Sequence, residues 1–192
     1  MKRNAVFILC SLVLAYVLTS CEKAPLGLTK YTEKWFSNRS EAKLTFTSNT
    51  GQQEELILGI TESTRTTGGK SIPTTYKVYT LTYTGNQGYL GLVIQAERNN
   101  IKIRNIVQPN FNVNYAYLTT GKNPAYEVNR GYGVETELLD NFTLNNTTYS
   151  RVLRVKFFVI GGNPDKIKEI YYAKHHGLIH FVTTDDQKWS RK

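Results

Sequence analysis

Three histidines lie close together near the end of the chain, at positions 175, 176 and 180. Neutral imidazole is a good zinc ligand, and clusters of this kind occur in zinc sites. Adjacent residues of a strand point to opposite faces, so His176 and His180 could bind the same ion, whereas His175 could not. A third ligand would have to come from Asp185 or Asp186. We therefore predict surface or half-buried histidines here, and no metal site.

Carboxylates could also support catalysis, since Glu135 and Glu137 would share one face of a strand, about 7 Å apart. A glycosidase needs two carboxylates at a defined separation, but neighbours on one strand are more typical of a solvated face. Residues 64–71 (TRTTGGKS) end like a phosphate-binding loop, yet Thr64 stands where that loop needs Gly, and a strand pattern follows instead of a helix. Serine-nucleophile, zinc-peptidase and dinucleotide-binding patterns do not occur. We predict that the protein is not an enzyme and takes no cofactor.

The N-terminus carries the most specific pattern of the sequence. Lys2 and Arg3 precede an apolar run over residues 5–18, which is too short to cross a bilayer as a helix and is typical of a secretory signal. The run ends in Leu18-Thr19-Ser20-Cys21, which resembles the lipobox of bacterial lipoproteins. The resemblance implies cleavage before Cys21 and acylation of this residue, so that several acyl chains hold the protein to a membrane.

This pattern divides the chain into a signal peptide over residues 1–20, a lipidated tether over residues 21–29 and one domain over residues 30–192. Pro25 and Gly27 discourage helix in the tether. Glu22 stands where the inner-membrane retention signal of some bacteria places Asp. The resemblance therefore implies the outer membrane, facing the periplasm, with the cell surface as the alternative. The mature chain would contain no further cysteine and would depend on its hydrophobic core for stability.

Most of the remaining chain alternates apolar and polar residues between short turn sequences, which is the pattern of strands. One short helix over residues 31–37 is the exception. About nine or ten strands joined by short turns favour antiparallel pairing, and a long hairpin over residues 131–160, around Asn145-Asn146, favours strong curvature. We predict a single all-β domain made of one curved antiparallel sheet that approaches a half-barrel. A β-sandwich is the alternative.

The charge balance is basic, with 24 Lys and Arg against 15 Asp and Glu. Loss of Lys2 and Arg3 with the signal would leave 22 against 15, a net charge of +7. Basic strands beside tyrosine-rich ones can bind nucleic acid, but outside the cytoplasm the available anions are lipid head groups and acidic glycans, so no nucleic-acid partner is expected. We interpret the surplus as an aid to solubility or as a charge that lies against an anionic membrane, with a specific anion site as the alternative. The candidate binding residues are Tyr115, Tyr117, Lys102, Arg104, Arg154 and Lys156.

Three stretches of the mature chain, residues 43–60, 144–155 and 167–181, resemble small Bacteroidetes-type outer-membrane lipoproteins of unassigned function. The third stretch is the most specific and contains IYYAK at residues 170–174 and GLIHF at residues 177–181. The resemblance implies lineage and location, but no activity. Physically, the motif predicts a strand, a turn at Gly177 and a return strand, with Tyr171, Ile179 and Phe181 in the core.

Together these patterns predict a non-catalytic binding or interaction protein of the cell envelope, attached to the membrane through Cys21. In one form it holds a lipid or another apolar ligand, which requires an apolar concave face without a filled core. In the alternative form it contacts a glycan or a protein, which requires a filled core and an exposed aromatic and basic patch. A third alternative, an envelope hydrolase, requires carboxylates or histidines that converge in a cleft.

Overall fold

The computed structural model of this protein describes residues 24–36, 43–68, 73–85, 91–105, 115–119, 128–129, 134–157 and 167–192. The predicted signal peptide and Cys21 lie outside these residues. A short helix, α1 (Lys30–Glu33), precedes the strands. The strands are β1 (Lys43–Ser48), β2 (Gln53–Thr67), β3 (Thr74–Gly85), β4 (Gly91–Glu97), β5 (Asn100–Asn105), β6 (Tyr115–Thr119), β7 (Val128–Asn129), β8 (Val134–Leu144), β9 (Thr147–Phe157), β10 (Ile167–Ala173), β11 (Gly177–Thr183) and β12 (Lys188–Arg191).

The twelve strands of the described residues form one sheet, in the order β7-β6-β5-β4-β3-β2-β1-β12-β11-β10-β9-β8. The first and last strands pair in the middle of the sheet, so β7 and β8 form its two edges. The right-handed twist of strands accumulates across the sheet, and Cα atoms of β6 and β7 come within 8 Å of β8. The predicted half-barrel, which is called the barrel below, is therefore confirmed, with two or three more strands than expected. The sandwich alternative is wrong, because these strands form a single sheet.

The core lies inside the curl of the sheet. Alternation along each strand sends every second side chain inward, and Leu81 and Tyr83 of β3 lie opposite Ile94 and Leu92 of β4. All four of these side chains are fully buried. The same inward positions continue around the sheet, so the apolar alternation seen in the sequence produces one continuous interior.

The segment around α1 closes one end of the barrel. Thr29 caps the helix, and its Oγ1 accepts a hydrogen bond from the N–H of Thr32 at 3.4 Å. Trp35 and Phe36 follow the helix and are fully buried. Tyr172 of β10 donates a 2.7 Å hydrogen bond from its hydroxyl to the carbonyl of Trp35, which attaches this segment to the sheet. No helix in the described part of the chain is long and apolar enough to cross a bilayer.

Two long hairpins, β2–β3 and β8–β9, extend at the same end of the barrel. The inward side chains of β2 are buried up to Leu58, whereas every residue of this strand from Gly59 to Thr67 is exposed. The β8–β9 hairpin turns at Asn145 and Asn146, which have φ angles of 48° and 63°. A type I′ turn requires positive φ at both central residues. In an antiparallel sheet every second turn lies at the same end of the strands. The turns of both long hairpins lie at the same end for this reason.

The N-terminal segment joins the sheet at this end, within the stretch expected to be a tether. Leu26 forms a parallel bridge with Tyr76 of β3 through two backbone hydrogen bonds of 3.0 and 2.8 Å. The N–H of Thr29 donates to the carbonyl of Arg98, in the turn between β4 and β5, at 2.7 Å. We call this end of the barrel the tether end; it carries the N-terminal segment, the β4–β5 and β10–β11 turns and both long hairpins.

Candidate functional site

A row of outward-facing side chains crosses strands β8 to β12. Each member lies directly opposite the next in the strand ladders, so neighbouring side chains of the row are within contact distance. Because the inward positions of these strands fill the core, the row lies on the convex outer face of the barrel. We call it the polar row: Glu137, Arg154, Tyr171, His180 and Ser190.

Arg154 is the centre of the polar row. Its Nε donates a hydrogen bond to Oε1 of Glu169, two residues before Tyr171 on β10, and its Nη1 donates to Oε2 of Glu137 at 3.2 Å. The guanidinium carbon lies 5.8 Å from the centre of the Tyr171 ring. The hydroxyl of Tyr171 donates to the same Oε1 of Glu169 at 3.0 Å. Glu169 is only 9% exposed, and these donors compensate for the lost hydration of its carboxylate.

The contacts within this cluster shift two pKa values upward. The hydrogen bond to Glu169 raises the pKa of Arg154 above its already high ordinary value. Burial, with a smaller contribution from the negative charge of Glu169, raises the pKa of Tyr171 to about 12. Both side chains therefore keep their protons at physiological pH, and the cluster holds a fixed set of charges.

His180 is nearly buried in the polar row, with 7% of its surface exposed. Its Nδ1 lies 3.1 Å from Oγ of Ser190, and its ring stands edge-on to Tyr171 with 5.2 Å between ring centres. Burial lowers the pKa of His180 to about 4, so the ring is neutral at pH 7. A serine next to a histidine is the arrangement of a nucleophile and its base, but a base must reach a substrate. The low exposure of His180 favours a structural role for this pair.

The β8–β9 hairpin helps to cover an apolar patch beside the polar row. Val152, Ala173 and Ile179 are fully buried there, in a cluster separate from the barrel core. Phe142 of the hairpin stacks on Tyr171 of β10, with ring centres 4.4 Å apart. This outer cluster attaches the hairpin to β10 and β11 and limits the freedom of the Tyr171 ring.

The C-terminal motif is arranged differently from the sequence expectation. Phe181 lies in the barrel core, as predicted. Tyr171 and Ile179 were expected beside it, but both belong to the outer cluster. Tyr171 stands between Ile170 and Tyr172, which point inward, so alternation sends its own ring outward. Ile179 is passed over in the pairing of β10 with β11, and this irregularity moves it to the outer side.

Four of the six candidate binding residues lie on β5 and β6. Lys102 and Arg104 are two residues apart on β5, between residues that point into the core, so both belong to the outer side and are half-buried. In the ladder they lie opposite Tyr117 and Tyr115 of β6, respectively. The structure thus brings these four positions together on adjacent strands.

The other two candidate binding residues, Arg154 and Lys156, lie on β9, which is not a neighbour of β5 in the sheet. Lys156 pairs with Glu135 at 3.5 Å, and Arg154 contacts Glu137 and Glu169. Glu135 and Glu137 share one face of β8, as the sequence indicates, with a cation opposite each of them. The outer face of β8 to β10 is therefore a surface of mixed charge, whereas a basic groove would need unneutralised cations.

The three histidines lie in different surroundings. His175 is in the β10–β11 turn and has a left-handed φ of 70°. The ring of His176 stands edge-on to that of Tyr149, with 5.1 Å between centres, and His180 lies in the polar row. Within the residues that the structure describes, no three His, Cys, Asp or Glu side chains come together as a metal-binding set.

Glu169 and Phe142 are members of this site that sequence reasoning missed. Alternation along β10 does place Glu169 on the same side as Tyr171, and this is a usable local signal. The contact with Arg154 depends on the register between β9 and β10, whose connecting segment is long and whose pattern does not specify the pairing. Phe142 reaches the site from a hairpin that the sequence predicts, but its packing on another strand pair is not visible in local periodicity.

Comparison of the chain with protein-family models, with curated proteins and with solved structures gives no match. The resemblance to bacterial lipoproteins therefore stays a prediction.

Proposed function

We propose that this protein is a lipid-anchored interaction protein of the bacterial cell envelope, without catalytic activity, and that its partner is a protein bound by the outer face of β8 to β10. The observation that carries the proposal is the contrast between the two faces of the sheet. The concave face is filled by the side chains of the chain itself, while the outer face presents charged groups and half-buried aromatic rings.

The filled concave face argues against a carrier of lipid. A cavity large enough for an acyl chain would leave accessible surface on the side chains of its wall. The described inward residues lack such surface, since Leu56, Leu81, Leu92, Ile101 and Ile103 are all 0% exposed. Trp35 and Phe36 in addition occupy the tether end of the interior. This packing supports the interaction form of the prediction over the carrier form.

The geometry of Tyr171 favours a protein partner over a glycan. A sugar stacks on a free aromatic face, but one face of this ring is occupied by Phe142 and the guanidinium of Arg154 lies near the ring as well. Protein interfaces, in contrast, are enriched in Tyr and Arg and contain complementary charges around them. Glu135, Glu137 and Lys156 supply such charges next to Arg154.

The proposed anchor is supported by the N-terminal sequence. The lipobox-like Leu18-Thr19-Ser20-Cys21 follows a short apolar run, and the residue after Cys21 is Glu22 instead of the retention residue Asp. These features support an outer-membrane lipoprotein that faces the periplasm. Replacement of Cys21 by Ala should release the chain from the membrane fraction, and retention of this variant after signal cleavage would contradict the anchor.

Site-specific photo-crosslinking in envelope membranes tests the partner surface. A photoreactive residue at position 135, on the outer face of β8, should give one discrete protein adduct. The same residue at position 57, an exposed outward position of β2, is the matched control and should give none. A glycan adduct at position 135 would change the partner class, and equal adducts at both positions would show that this face is not the partner surface.

Native mass spectrometry of the purified mature chain tests the other form of the prediction. The filled interior predicts the mass of the chain with its acyl group and nothing else. A stoichiometric second lipid that survives gentle purification would show that the protein is a carrier, and the proposed interaction role would then fall.

A further inference from the structure

The N-terminal segment leads from the barrel back toward Cys21 at the tether end. The bridge between Leu26 and Tyr76 is parallel, so the chain read backward from Leu26 runs toward Thr74 and the far end of the β2–β3 hairpin. Ala24 is the first described residue of this segment, and Cys21 precedes it by three residues. Three residues span at most about 11 Å. An acyl group on Cys21 therefore stays close to the tether end.

The helix and the turns of the tether end are connected to one another. The carbonyl of Lys34, directly after α1, accepts a hydrogen bond from the N–H of His175 in the β10–β11 turn at 2.6 Å. The guanidinium of Arg191 donates to the carbonyl of His176 in the same turn at 2.7 Å. Through Thr29 the same segment is also bonded to the β4–β5 turn. The tether end is thus one connected surface.

Cations outnumber carboxylates at this surface. The described residues 24–36, 61–68, 73–77, 97–100, 140–151, 173–177 and 191–192 contain nine Lys and Arg against four Asp and Glu, a surplus of five. The ion pairs described at this surface include Lys77–Glu62, Arg65–Glu97 and Arg151–Asp140. The cations of this surface are Lys30, Lys34, Arg65, Lys77, Arg98, Arg151, Lys174, Arg191 and Lys192.

The opposite end of the barrel has the reverse balance. Its described residues 48–55, 104–105, 134–136, 156–157, 167–169 and 183–188 contain four Lys and Arg against six Asp and Glu. The surplus of positive charge is therefore spread unevenly over the molecule, whereas a role in solubility alone would allow an even distribution. It is concentrated where the chain leaves the barrel toward Cys21.

We propose that the tether end faces the membrane and that its surplus cations contact anionic phospholipid head groups, so that the barrel has one fixed orientation on the bilayer. The inference rests on the proposed acylation of Cys21, which brings this end of the barrel to the membrane. It adds a lipid-contacting surface that is distinct from the proposed partner surface. Anionic head groups attract basic protein surfaces within a Debye length. The β1–β2 and β11–β12 turns then point away from the membrane.

Depth-dependent quenching in vesicles tests this orientation. The mature chain has no cysteine besides the acylated one, so an introduced cysteine can be labelled uniquely with a fluorophore. Thr64→Cys places the label on the exposed β2–β3 hairpin, and Thr50→Cys places the control label on the exposed β1–β2 turn. The acylated protein is reconstituted in phosphatidylcholine vesicles that contain phosphatidylglycerol and a head-group nitroxide quencher. We expect severalfold stronger quenching at position 64 than at position 50; equal quenching would overturn the inference.

Matched charge variants separate the effect of the cations on the orientation from the effect of the acyl anchor. Lys30→Gln with Lys174→Gln removes two charges from the tether end, and Lys168→Gln with Lys188→Gln removes two from the opposite end. The first variant should lose most of the quenching difference between positions 64 and 50, while the second should retain it. An equal effect of both variants would contradict a role for the tether-end cations.

The proposed acylation of Cys21 and the proposed orientation of the barrel can be contradicted independently of each other. Intact mass and vesicle flotation report acylation of Cys21. An acylated chain that floats but quenches equally at positions 64 and 50 would overturn the orientation and leave the anchor standing. If the intact mass shows no acyl groups on the wild-type chain, the proposed anchor is wrong. The lipid-contacting surface would still be supported if this chain sediments with phosphatidylglycerol vesicles and if Lys30→Gln with Lys174→Gln, but not Lys168→Gln with Lys188→Gln, abolishes the binding.

Discussion

Glu169 is a nearly buried carboxylate on the outer face of the sheet, where an unpaired charge would be strongly unfavourable. Its donors come from two strands, Arg154 from β9 and Tyr171 from its own strand β10. The polar row therefore depends on the register of these strands as well as on the identity of its residues. His180, on β11, extends the same dependence to a third strand.

Acid should destabilise the protein through His180. Burial lowers the pKa of the folded side chain to about 4, while Glu169 opposes this shift and Lys188 adds to it. A histidine in the unfolded chain has a pKa of about 6.5. Between the folded and the unfolded pKa, the unfolded chain therefore takes up a proton that the folded chain does not. Stability is then fully present above about pH 6.5 and decreases toward pH 4, by at most about 3 kcal/mol from this group.

Urea unfolding across this pH range, in the wild type and in His180→Gln, measures the effect. Other groups also titrate, so the informative quantity is the difference between the two proteins at each pH. We expect the wild type to lose more stability than the variant as the pH falls. Parallel curves would show that His180 does not determine the acid sensitivity.

At the scale of the elements, the two long hairpins differ in how they are supported. The β2–β3 hairpin extends with exposed residues on β2 and half-buried residues on β3, and Leu26 bonds to β3. The β8–β9 hairpin packs Phe142 and Tyr149 on the outer cluster. Since an isolated two-stranded hairpin is only marginally stable in water, the β8–β9 hairpin depends on this packing and on its turn.

Substitution in the turn should reveal its contribution to stability. Asn145 and Asn146 both have left-handed φ angles, which cost most residues about 1–2 kcal/mol and Asn less. Asn146→Ala should therefore lower the free energy of unfolding by about 1 kcal/mol, whereas Asn146→Gly should leave it unchanged or raise it. Asn141→Ala, at an exposed position of the same hairpin, is the control. Equal losses for Asn146→Ala and Asn141→Ala would rule out the backbone explanation.

At the scale of the whole molecule, one continuous interior is closed at the tether end by a segment from outside the sheet. Trp35 and Phe36 supply large side chains there, and the hydroxyl of Tyr172 connects the segment to β10 through a fully buried hydrogen bond. The helix itself is too short to be stable alone. Its position therefore depends on this plug and on the backbone bonds to the neighbouring turns.

The plug predicts two different costs. Tyr172→Phe removes the donor to the buried carbonyl of Trp35 and should cost about 1–3 kcal/mol. Trp35→Ala also removes a large buried side chain and should cost about 3–5 kcal/mol. Chemical unfolding of both variants, with Tyr31→Ala at a half-buried position of α1 as control, checks this order. A Trp35→Ala protein as stable as the control would show that the segment does not close the core.

Much of the architecture could be predicted from the sequence because alternation is a local property. The strand pattern, the Asn145-Asn146 turn and the curved single sheet follow from it. The sequence is a poorer guide to the side of the sheet on which a residue lies, as Tyr171 and Ile179 show. Alternation does not reveal which face is inside, and a bulge reverses the alternation along a strand. The polar row was not predictable, since it depends on pairing between strands that are distant in the chain.

The pairing of β1 with β12 has a consequence for the order of events during folding. Phe46 lies opposite Arg191, so the ladder that joins the two halves of the sheet connects residues from nearly the whole span of the domain. If the chain is exported as the proposed lipoprotein would be, with the N-terminal part of the domain crossing first, β1 emerges long before its partner. The sheet of such an exported chain would be completed only after export of β12, and until then one edge of β1 would be unpaired outside the cell membrane. Long-range closure of this kind makes folding slow and extends the time during which the exposed edge needs protection from other chains.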